Sequence, residues 1–245
     1  EFGESWIFHQ PVTKKFSSVI WYSFVLALAS FLLEIIIAIP LGIISATKQY
    51  SRVDYAVTVF ALIGISLPSF FFATILKWIF SINLKWLDLY GIVGRMHESY
   101  SSVGKVLDMA QHLILPVITL TIVSVGSLMR YTRTNMLEVL NADYIRTARA
   151  KGVPEKKVVY HHAFRNTLIP IITILGSTLP NLFGGAYITE KVFGWPGMGL
   201  LGVDAINNRD YQMLMGLTLF TAILVLLGNL LADIMYSFVD PRIRY

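Results

Sequence analysis

Long runs of apolar residues constrain the fold of this chain more than any other feature of its sequence. Hydrophobic residues make up 55% of the 245 positions and charged residues 14%, whereas a soluble domain carries about 25% charged residues. Mean hydropathy is +0.63, and the charges cluster between the apolar runs. Because a helix satisfies its own backbone hydrogen bonds, such runs cross a bilayer as helices. The sequence therefore predicts an all-α polytopic membrane protein.

Five runs are long enough to cross a membrane. We place these spans at residues 19–46, 56–80, 112–129, 167–183 and 213–234. They leave an extracytoplasmic segment at 1–18, ahead of a membrane domain that covers 19–245. They also leave two outer loops, 81–111 and 184–212, a short inner loop at 47–55 that contains Lys48 and Arg52, and a longer inner loop, 130–166. We call residues 130–166 the basic loop and residues 184–212 the glycine-rich loop.

The basic loop sets the expected orientation of the chain. Between Asp143 and Pro170 the sequence has six basic residues and only two acidic ones, Asp143 and Glu155. Loops rich in Lys and Arg stay on the cytoplasmic side of a membrane. The loops assigned to that side hold most of the basic residues although they are shorter in total. We therefore expect the basic loop and the C-terminus to be cytoplasmic.

A short helix is predicted within the basic loop, at residues 142–153. Asn141 or Asp143 can cap its start, and Gly152 followed by Pro154 can end it. At about 100° per residue, small or modest side chains share one face. They are Ala142, Ile145, Ala148 and Gly152. Such a face lets another protein surface approach closely, but a basic helix can equally lie on anionic lipid headgroups. Spacing alone leaves both interpretations open.

The glycine-rich loop is too apolar for a solvated connection. Phe193, Trp195 and several aliphatic residues alternate with Gly194, Gly197 and Gly199. Irregular backbone near a membrane needs protein or water around it. We therefore expect this loop to pack into the helix bundle or to dip back toward the membrane.

Glu34 supports an alternative function. It lies near the middle of the first span, where an ionisable side chain is a candidate functional group; a protonated carboxyl, or one bonded to a neighbouring helix, is the other interpretation. An ion-coupled carrier or channel could couple through Glu34 without an ATPase. That hypothesis is disfavoured because only one ionisable group lies so deep. A scaffold whose basic loop holds a cytoplasmic protein is a third hypothesis. Asp233, near the inner end of the last span, is expected to cap that helix or pair with an arginine of the tail.

Several kinds of site are missing from the sequence. There is no G-x-x-x-x-G-K-[ST] phosphate loop, and no paired carboxylates, Ser-His-Asp set or metal-ligand cluster indicates an enzyme. Zero cysteines exclude disulfides and thiolate metal sites. The net charge of +5 follows from the basic loops and does not indicate nucleic acid. No cofactor is expected in this chain, and any ATP hydrolysis would belong to a separate subunit.

The basic loop resembles the permease subunits of ABC importers, in the branch of dipeptide, oligopeptide and nickel permeases. Residues 143–152 match D-Y-x-R-T-A-R-A-K-G, and residues 165–170 match R-N-x-L-x-P. In the wider family the signature is Glu-Ala-Ala, three residues, then Gly. Ala148 and Gly152 match it, whereas Arg146 replaces the Glu and Thr147 replaces the first Ala.

The resemblance extends over nearly the whole chain. Residues 190–199 match E-x-V-F-x-W-P-G-x-G, and residues 209–211 match R-D-Y, with Gln212 where proline is usual. The last span and the tail also fit, through Asn229, Asp233, Tyr236 and the D-P-R at 240–242. Separated motifs that agree in order are more specific than either loop alone.

The resemblance implies a type I ABC importer permease fold with a cytoplasmic coupling helix that docks into the ATPase. In that mechanism Gly152 permits a turn, Ala148 permits close docking, and Arg146 and Arg149 contact the partner. The implied coupling residues are Tyr144, Arg146, Thr147, Ala148, Arg149, Lys151 and Gly152. The implied outer gate consists of Glu190, Phe193, Trp195, Pro196, Gly197, Arg209 and Asp210.

The same resemblance implies the partners. They are a second permease subunit, commonly a different one, two ATPase subunits that bind ATP and Mg, an extracytoplasmic substrate-binding protein and the lipid of the plasma (inner) membrane. We also expect one further N-terminal helix, a sixth span, to precede this sequence. The transported solute, whether a peptide, nickel or another small molecule, is not readable from the sequence.

Overall fold

The computed structural model describes residues 2–178 and 181–239, without the side chains of residues 177, 232–233 and 235–239. The described chain is helical, as predicted, apart from its loops and a hairpin with two strands of two residues each. In that hairpin β1 (Glu4–Ser5) pairs antiparallel with β2 (Gln10–Pro11). The side chain of Asp233 and the tail motif Asp240-Pro241-Arg242 lie outside the described residues.

Most of the described helices follow one another with short connections, and the longest connection is residues 84–101, ahead of α4. They are α1 (Val12–Thr47), α2 (Arg52–Ser66), α3 (Ser69–Leu76), α4 (Ser102–Leu140), α5 (Asp143–Ala150), α6 (Glu155–Lys157), α7 (Arg165–Thr178), α8 (Asn181–Gly184), α9 (Tyr187–Phe193), α10 (Met198–Asn207) and α11 (Tyr211–Val239). A π-helical turn at Lys77–Asn83 continues α3, and another at Val158–Phe164 joins α6 to α7. A 3₁₀ turn at His97–Ser99 lies before α4.

Four helical stretches of the described chain are long and apolar enough to cross a membrane, and five if one interrupted pair counts as a single span. The four are Val12–Thr47, Ser102–Leu140, Glu155–Gly184 (its residues 179–180 are not described) and Tyr211–Leu231. The interrupted pair is Arg52–Ser66 with Ser69–Asn83. The predicted set of five spans is thus confirmed in approximate number.

The predicted second span, 56–80, is not one continuous helix. α2 ends at Ser66 and α3 begins at Ser69. Pro68 has extended backbone angles, φ −59° and ψ 132°. Proline cannot donate a hydrogen bond to a helix and disfavours helical geometry in the residue before it, so α2 ends ahead of Pro68. The proline breaks the span.

The first and third spans are longer than predicted. α1 begins at Val12 instead of residue 19, and α4 begins inside the predicted loop 81–111 and continues beyond Arg133 to Leu140. The remaining part of that loop is bound to α4 through Asp108. Its carboxylate accepts a hydrogen bond from the Gly94 amide at 2.9 Å and lies 2.6 Å from His97 Nδ1.

The chain forms two compact units, each described here through its described residues. Unit 1 comprises Glu1–Phe31, Leu67–Thr121 and Pro180–Leu227. One part of its core joins the start of α1 to α10 and α11. That cluster contains Val12, Phe16, Val19, Met198, Leu201, Ala205 and Met213. A second cluster joins α3 and α4 to Phe193 of α9.

Unit 2 comprises Leu32–Ser66, Ile122–Leu179 and Gly228–Tyr245. Its first cluster packs α1 and α2 against α4 through Ala38, Ala61, Val125, Leu128 and Met129. Its second cluster joins the ends of α1 and α4 to the basic loop. The predicted coupling residues thus lie in unit 2, and the predicted gate residues lie in unit 1.

Candidate functional site

The short helix of the basic loop is present, but its cap differs from the prediction. α5 covers Asp143–Ala150, and the capping position is Ala142, without a side-chain hydrogen bond. Asn141 instead donates from Nδ2 to the Leu137 carbonyl at 2.8 Å. Neither Asn141 nor Asp143 therefore caps α5.

Gly152 ends this helix, as the sequence predicted. Its φ of +74° lies in the left-handed region, which costs other residues about 1–2 kcal/mol. Its amide donates to the Arg149 carbonyl at 2.9 Å, and the next amide, that of Val153, donates to the Ala148 carbonyl at 3.2 Å. Nothing lies within 4 Å of a Cβ placed on Gly152. Glycine is thus required for the turn and not for space.

The chain itself covers part of the small-residue face of α5. Ile145 has no exposed surface, and with Ala148 it packs against the ends of α1 and α4 in unit 2. Residues of the same unit already contact Ile145 and Ala148, whereas Gly152 at the end of this face is exposed, so the docking of a partner on this face stays a prediction. The contacting residues are Ile43, Ala46, Met136 and Leu140.

The opposite face of α5 is exposed and polar. Tyr144 is 48% exposed, and Arg146, Thr147 and Lys151 are also exposed. Arg146 lies 3.7 Å from Asp143 in a pair whose side chains are 72% and 98% exposed. A contact so open to water contributes little to stability. This face is available to a partner.

Arg149 is held by the loop itself. Its Nε lies 3.1 Å from one oxygen of Glu155 and its Nη2 lies 2.7 Å from the other. This two-pronged hydrogen bond raises the pKa of Arg149 and links the end of α5 to the start of α6. Arg149 thus has a partner within the chain, and its contact with the ATPase stays a prediction.

The glycine-rich loop is folded and its aromatic side chains Phe193 and Trp195 are buried, which agrees with the expectation that it packs against other helices. It contains α9 and α10. Phe193 is 3% exposed and Trp195 is 1% exposed. The Trp195 indole Nε1 donates to the Tyr22 carbonyl of α1 at 2.9 Å. Trp195 therefore binds this loop to α1, and Phe193 packs it against α3 and α4 within unit 1.

Glu190 is the hydrogen-bonding centre of the glycine-rich loop. The residue is fully buried. Its Oε1 accepts from the Ser23 hydroxyl at 2.9 Å and the Ala186 amide at 3.0 Å, and its Oε2 accepts from the Leu200 amide at 2.7 Å. The Ser23 oxygen in turn accepts from the Met198 amide at 2.7 Å. One carboxylate therefore joins α1, α9 and α10.

Gly197 completes this arrangement by having no side chain. A Cβ at this position would overlap the Glu190 carboxylate and lie 2.6 Å from the Ser23 oxygen. The adjacent Pro196 is half-buried. The Trp-Pro-Gly sequence therefore places the Gly197 backbone against the Glu190 carboxylate and the Ser23 hydroxyl, and no side chain fits at position 197.

Asp210 anchors the hairpin, whereas Arg209 is exposed. The buried Asp210 carboxylate accepts hydrogen bonds from the Ser5 hydroxyl, the Ile7 amide at 3.3 Å and the Met213 amide at 3.1 Å. It thereby caps α11 and ties the hairpin to it. Burial raises the pKa of Asp210, but these hydrogen bonds outweigh burial, and the net pKa lies below the ordinary value of 3.8.

Asp210→Asn should lower stability by about 1–3 kcal/mol at neutral pH, because a buried acceptor of several donors is lost. The folded pKa is depressed, so the ionised carboxylate stabilises the protein above its ordinary pKa of 3.8 and this stabilisation disappears as pH falls through the folded value. Thermal unfolding in detergent measured down to about pH 3 should show the two proteins converging. Asp204→Asn, in the same loop, is the control. Parallel curves for wild type and Asp210→Asn would contradict the assignment.

Two charged residues of unit 2 were missed as a pair. Asp54 of α2 is 3% exposed, and Arg133 of α4 binds it with two nitrogens, at 3.0 and 3.1 Å. An acidic residue in the first turn of an apolar helix was the sequence signal that could have indicated this pair.

Glu34 bonds to Ser124 in the same unit, which agrees with the interpretation of a carboxyl bonded to a neighbouring helix. Among the described residues no His, Cys, Asp or Glu cluster could hold a metal.

Comparison with known proteins identifies the family. Residues 38–245 match the family described as "binding-protein-dependent transport system inner membrane component". The chain is 43% identical to the oligopeptide transport system permease protein AppB of Bacillus subtilis (strain 168), over 96% of this chain and 73% of that protein. It is 37% identical to the oligopeptide transport system permease protein OppB of Haemophilus influenzae, over 100% of this chain and 76% of that protein.

The fold agrees with a solved transporter. An inward-facing structure of the MetNI methionine ABC transporter superposes with a TM-score of 0.72, covering 94% of this chain and 98% of that chain at 15% identity. This likeness confirms the predicted type I importer permease fold. The chain belongs to the family of binding-protein-dependent transport system inner membrane components, and it is therefore a membrane-spanning transport subunit of an ABC importer and not an enzyme.

Proposed function

We propose that this chain forms half of the translocation pathway for peptides, or a related small solute, which a separate binding protein delivers. The proposal is supported by relatives named as oligopeptide and dipeptide permeases. A second permease subunit, commonly a different one, would complete the pathway. Two ATPase subunits would bind ATP and Mg.

The observation that carries the coupling role is the two-sided character of α5. One side, with Ile145, is buried in the second cluster of unit 2. The other side presents Tyr144, Thr147 and Lys151. A helix that packs firmly against its own unit can transmit a displacement imposed by a partner to that unit. In this proposal the basic loop and the C-terminus are cytoplasmic, because positive loops face that side.

The gate role of the glycine-rich loop is also a proposal. The loop is cross-linked by Glu190 and by Trp195. A loop so tightly bonded would move with α1 as one body when the pathway opens. In this function the residues from Glu190 to Gly197 support the outer end of the pathway. Contact with the solute is not part of their role.

Uptake by the assembled transporter tests this function. The chain, a second permease, the ATPase subunits and the binding protein encoded beside it would be reconstituted in liposomes. A labelled oligopeptide should accumulate only with ATP and binding protein together. Accumulation driven by an ion gradient without ATP would instead support the carrier hypothesis and refute the proposal.

A further inference from the structure

An ion pair with a buried carboxylate and a partly exposed arginine joins three segments of unit 2. The Asp54 carboxylate, on the first turn of α2, accepts from Arg133 Nε at 3.0 Å and from Arg133 Nη2 at 3.1 Å. The Tyr50 amide donates to it at 2.9 Å, and the Ser45 hydroxyl at the end of α1 also donates to it. Each carboxylate oxygen therefore has two donors, and the side chain of Asp54 is 4% exposed.

Such a pair is not the simplest way to stabilise helix ends. Taking two charges out of water is costly, and well-packed apolar residues in place of an ion pair often give equal or higher stability. A two-pronged arginine–carboxylate contact does specify one relative geometry, since both nitrogens must meet both oxygens. The pair therefore fixes how the ends of α1, α2 and α4 are arranged more than it adds to stability.

Two of the helices that hold the ion pair also contribute to the cluster that packs against α5. Ser45 lies between Ile43 and Ala46, both of which belong to the cluster that buries Ile145 of α5. On α4, Met136 of the same cluster follows Arg133 by three residues, which is one helical turn. Two of the segments that hold the ion pair, α1 and α4, are thus the segments that pack against α5.

We infer that Asp54 and Arg133, with Ser45, are positioning residues for coupling. They make the ends of α1, α2 and α4 move as one body with α5, so that displacement of α5 by the ATPase reaches the spans of unit 2. This inference rests on the proposed function. Without the two-pronged contact, α5 can move on a loosened base while the spans stay behind, and ATP hydrolysis proceeds with less transport.

The conservative variant Arg133→Lys tests this role in the complete reconstituted transporter. Lysine keeps the charge opposite Asp54 but has one nitrogen in place of the fork. We expect the solute imported per ATP hydrolysed to fall by about fivefold or more, with the amount of assembled complex and the ATPase rate unchanged. Arg130→Lys, at an exposed position three residues earlier on α4, is the matched control and should keep the wild-type ratio.

Three outcomes would overturn the inference. The first is a wild-type transport ratio in Arg133→Lys. The second is a loss of uptake that only matches a loss of assembled complex, which would show a purely structural role. The third is an equal loss in Arg130→Lys. Ser45→Ala, which removes one donor from the same carboxylate, should lower the ratio in the same direction and to a smaller extent. If the wild-type complex imports no peptide with ATP, the proposed function itself fails, and that result is distinct from these three.

Discussion

Replacing Glu190 with alanine should destabilise the folded chain by about 3 kcal/mol or more, because one buried and two partly buried donors lose their acceptor at a cost of about 1–3 kcal/mol each. The donors are the Ser23 hydroxyl and the amides of Ala186 and Leu200. Glu190 is fully buried, so water does not replace the missing carboxylate in the intact fold. The physical consequence is loss of the bonds that join α1, α9 and α10.

Glu190→Gln should have a smaller effect in the same direction. The amide keeps the size and one oxygen, but its nitrogen must face at least one donor. Thermal unfolding of the purified protein in detergent should therefore rank wild type above Glu190→Gln and Glu190→Gln above Glu190→Ala. The matched control is Lys191→Ala, at the neighbouring exposed position, which should unfold like wild type. Equal unfolding temperatures for all four proteins would refute the central role of Glu190.

A bulky residue on the exposed face of α5 should abolish transport without unfolding the chain. Thr147→Trp places an indole where, in the proposed function, the ATPase docks. Thr147 is exposed, so the substitution creates no clash inside unit 2. Since central interface positions contribute about 2 kcal/mol or more, we expect ATP-driven uptake to fall at least about tenfold. The unfolding temperature should stay at the wild-type value.

Ala148→Trp should behave differently. Ala148 packs against the cluster that contains Ile145 and the ends of α1 and α4, and overpacking a core costs about 1–3 kcal/mol. If Ala148 only permitted close docking, as the resemblance implies, this variant would insert normally and lose only coupling, whereas the structure predicts lost stability as well. Thr134→Trp, at an exposed position on α4, is the control for adding an indole to the surface of the protein.

Normal uptake by Thr147→Trp would exclude the exposed face of α5 from coupling.

Much of the architecture could be predicted from the sequence, because it depends on local patterns. Apolar runs predict helices that cross a membrane, since backbone groups must be satisfied within each segment. Gly152 ends α5 at the predicted residue because a left-handed turn is a local requirement. The break at Pro68 is also local, but one proline admits both a kink and a full interruption, and the sequence analysis placed a continuous span there.

Only the tertiary structure decided which partners the polar residues have. The Ser23–Glu190 bond joins positions 167 residues apart, and the Arg133–Asp54 pair joins positions 79 residues apart. Residues so far apart are not neighbours on one helix, so the helical periodicity of the sequence indicates neither contact. For α5 the sequence determined the amphipathic helix, whereas the packing of Ile145 and Ala148 determined which side remains exposed. Helical period depends on neighbours along the chain, but burial depends on the segments that meet in space.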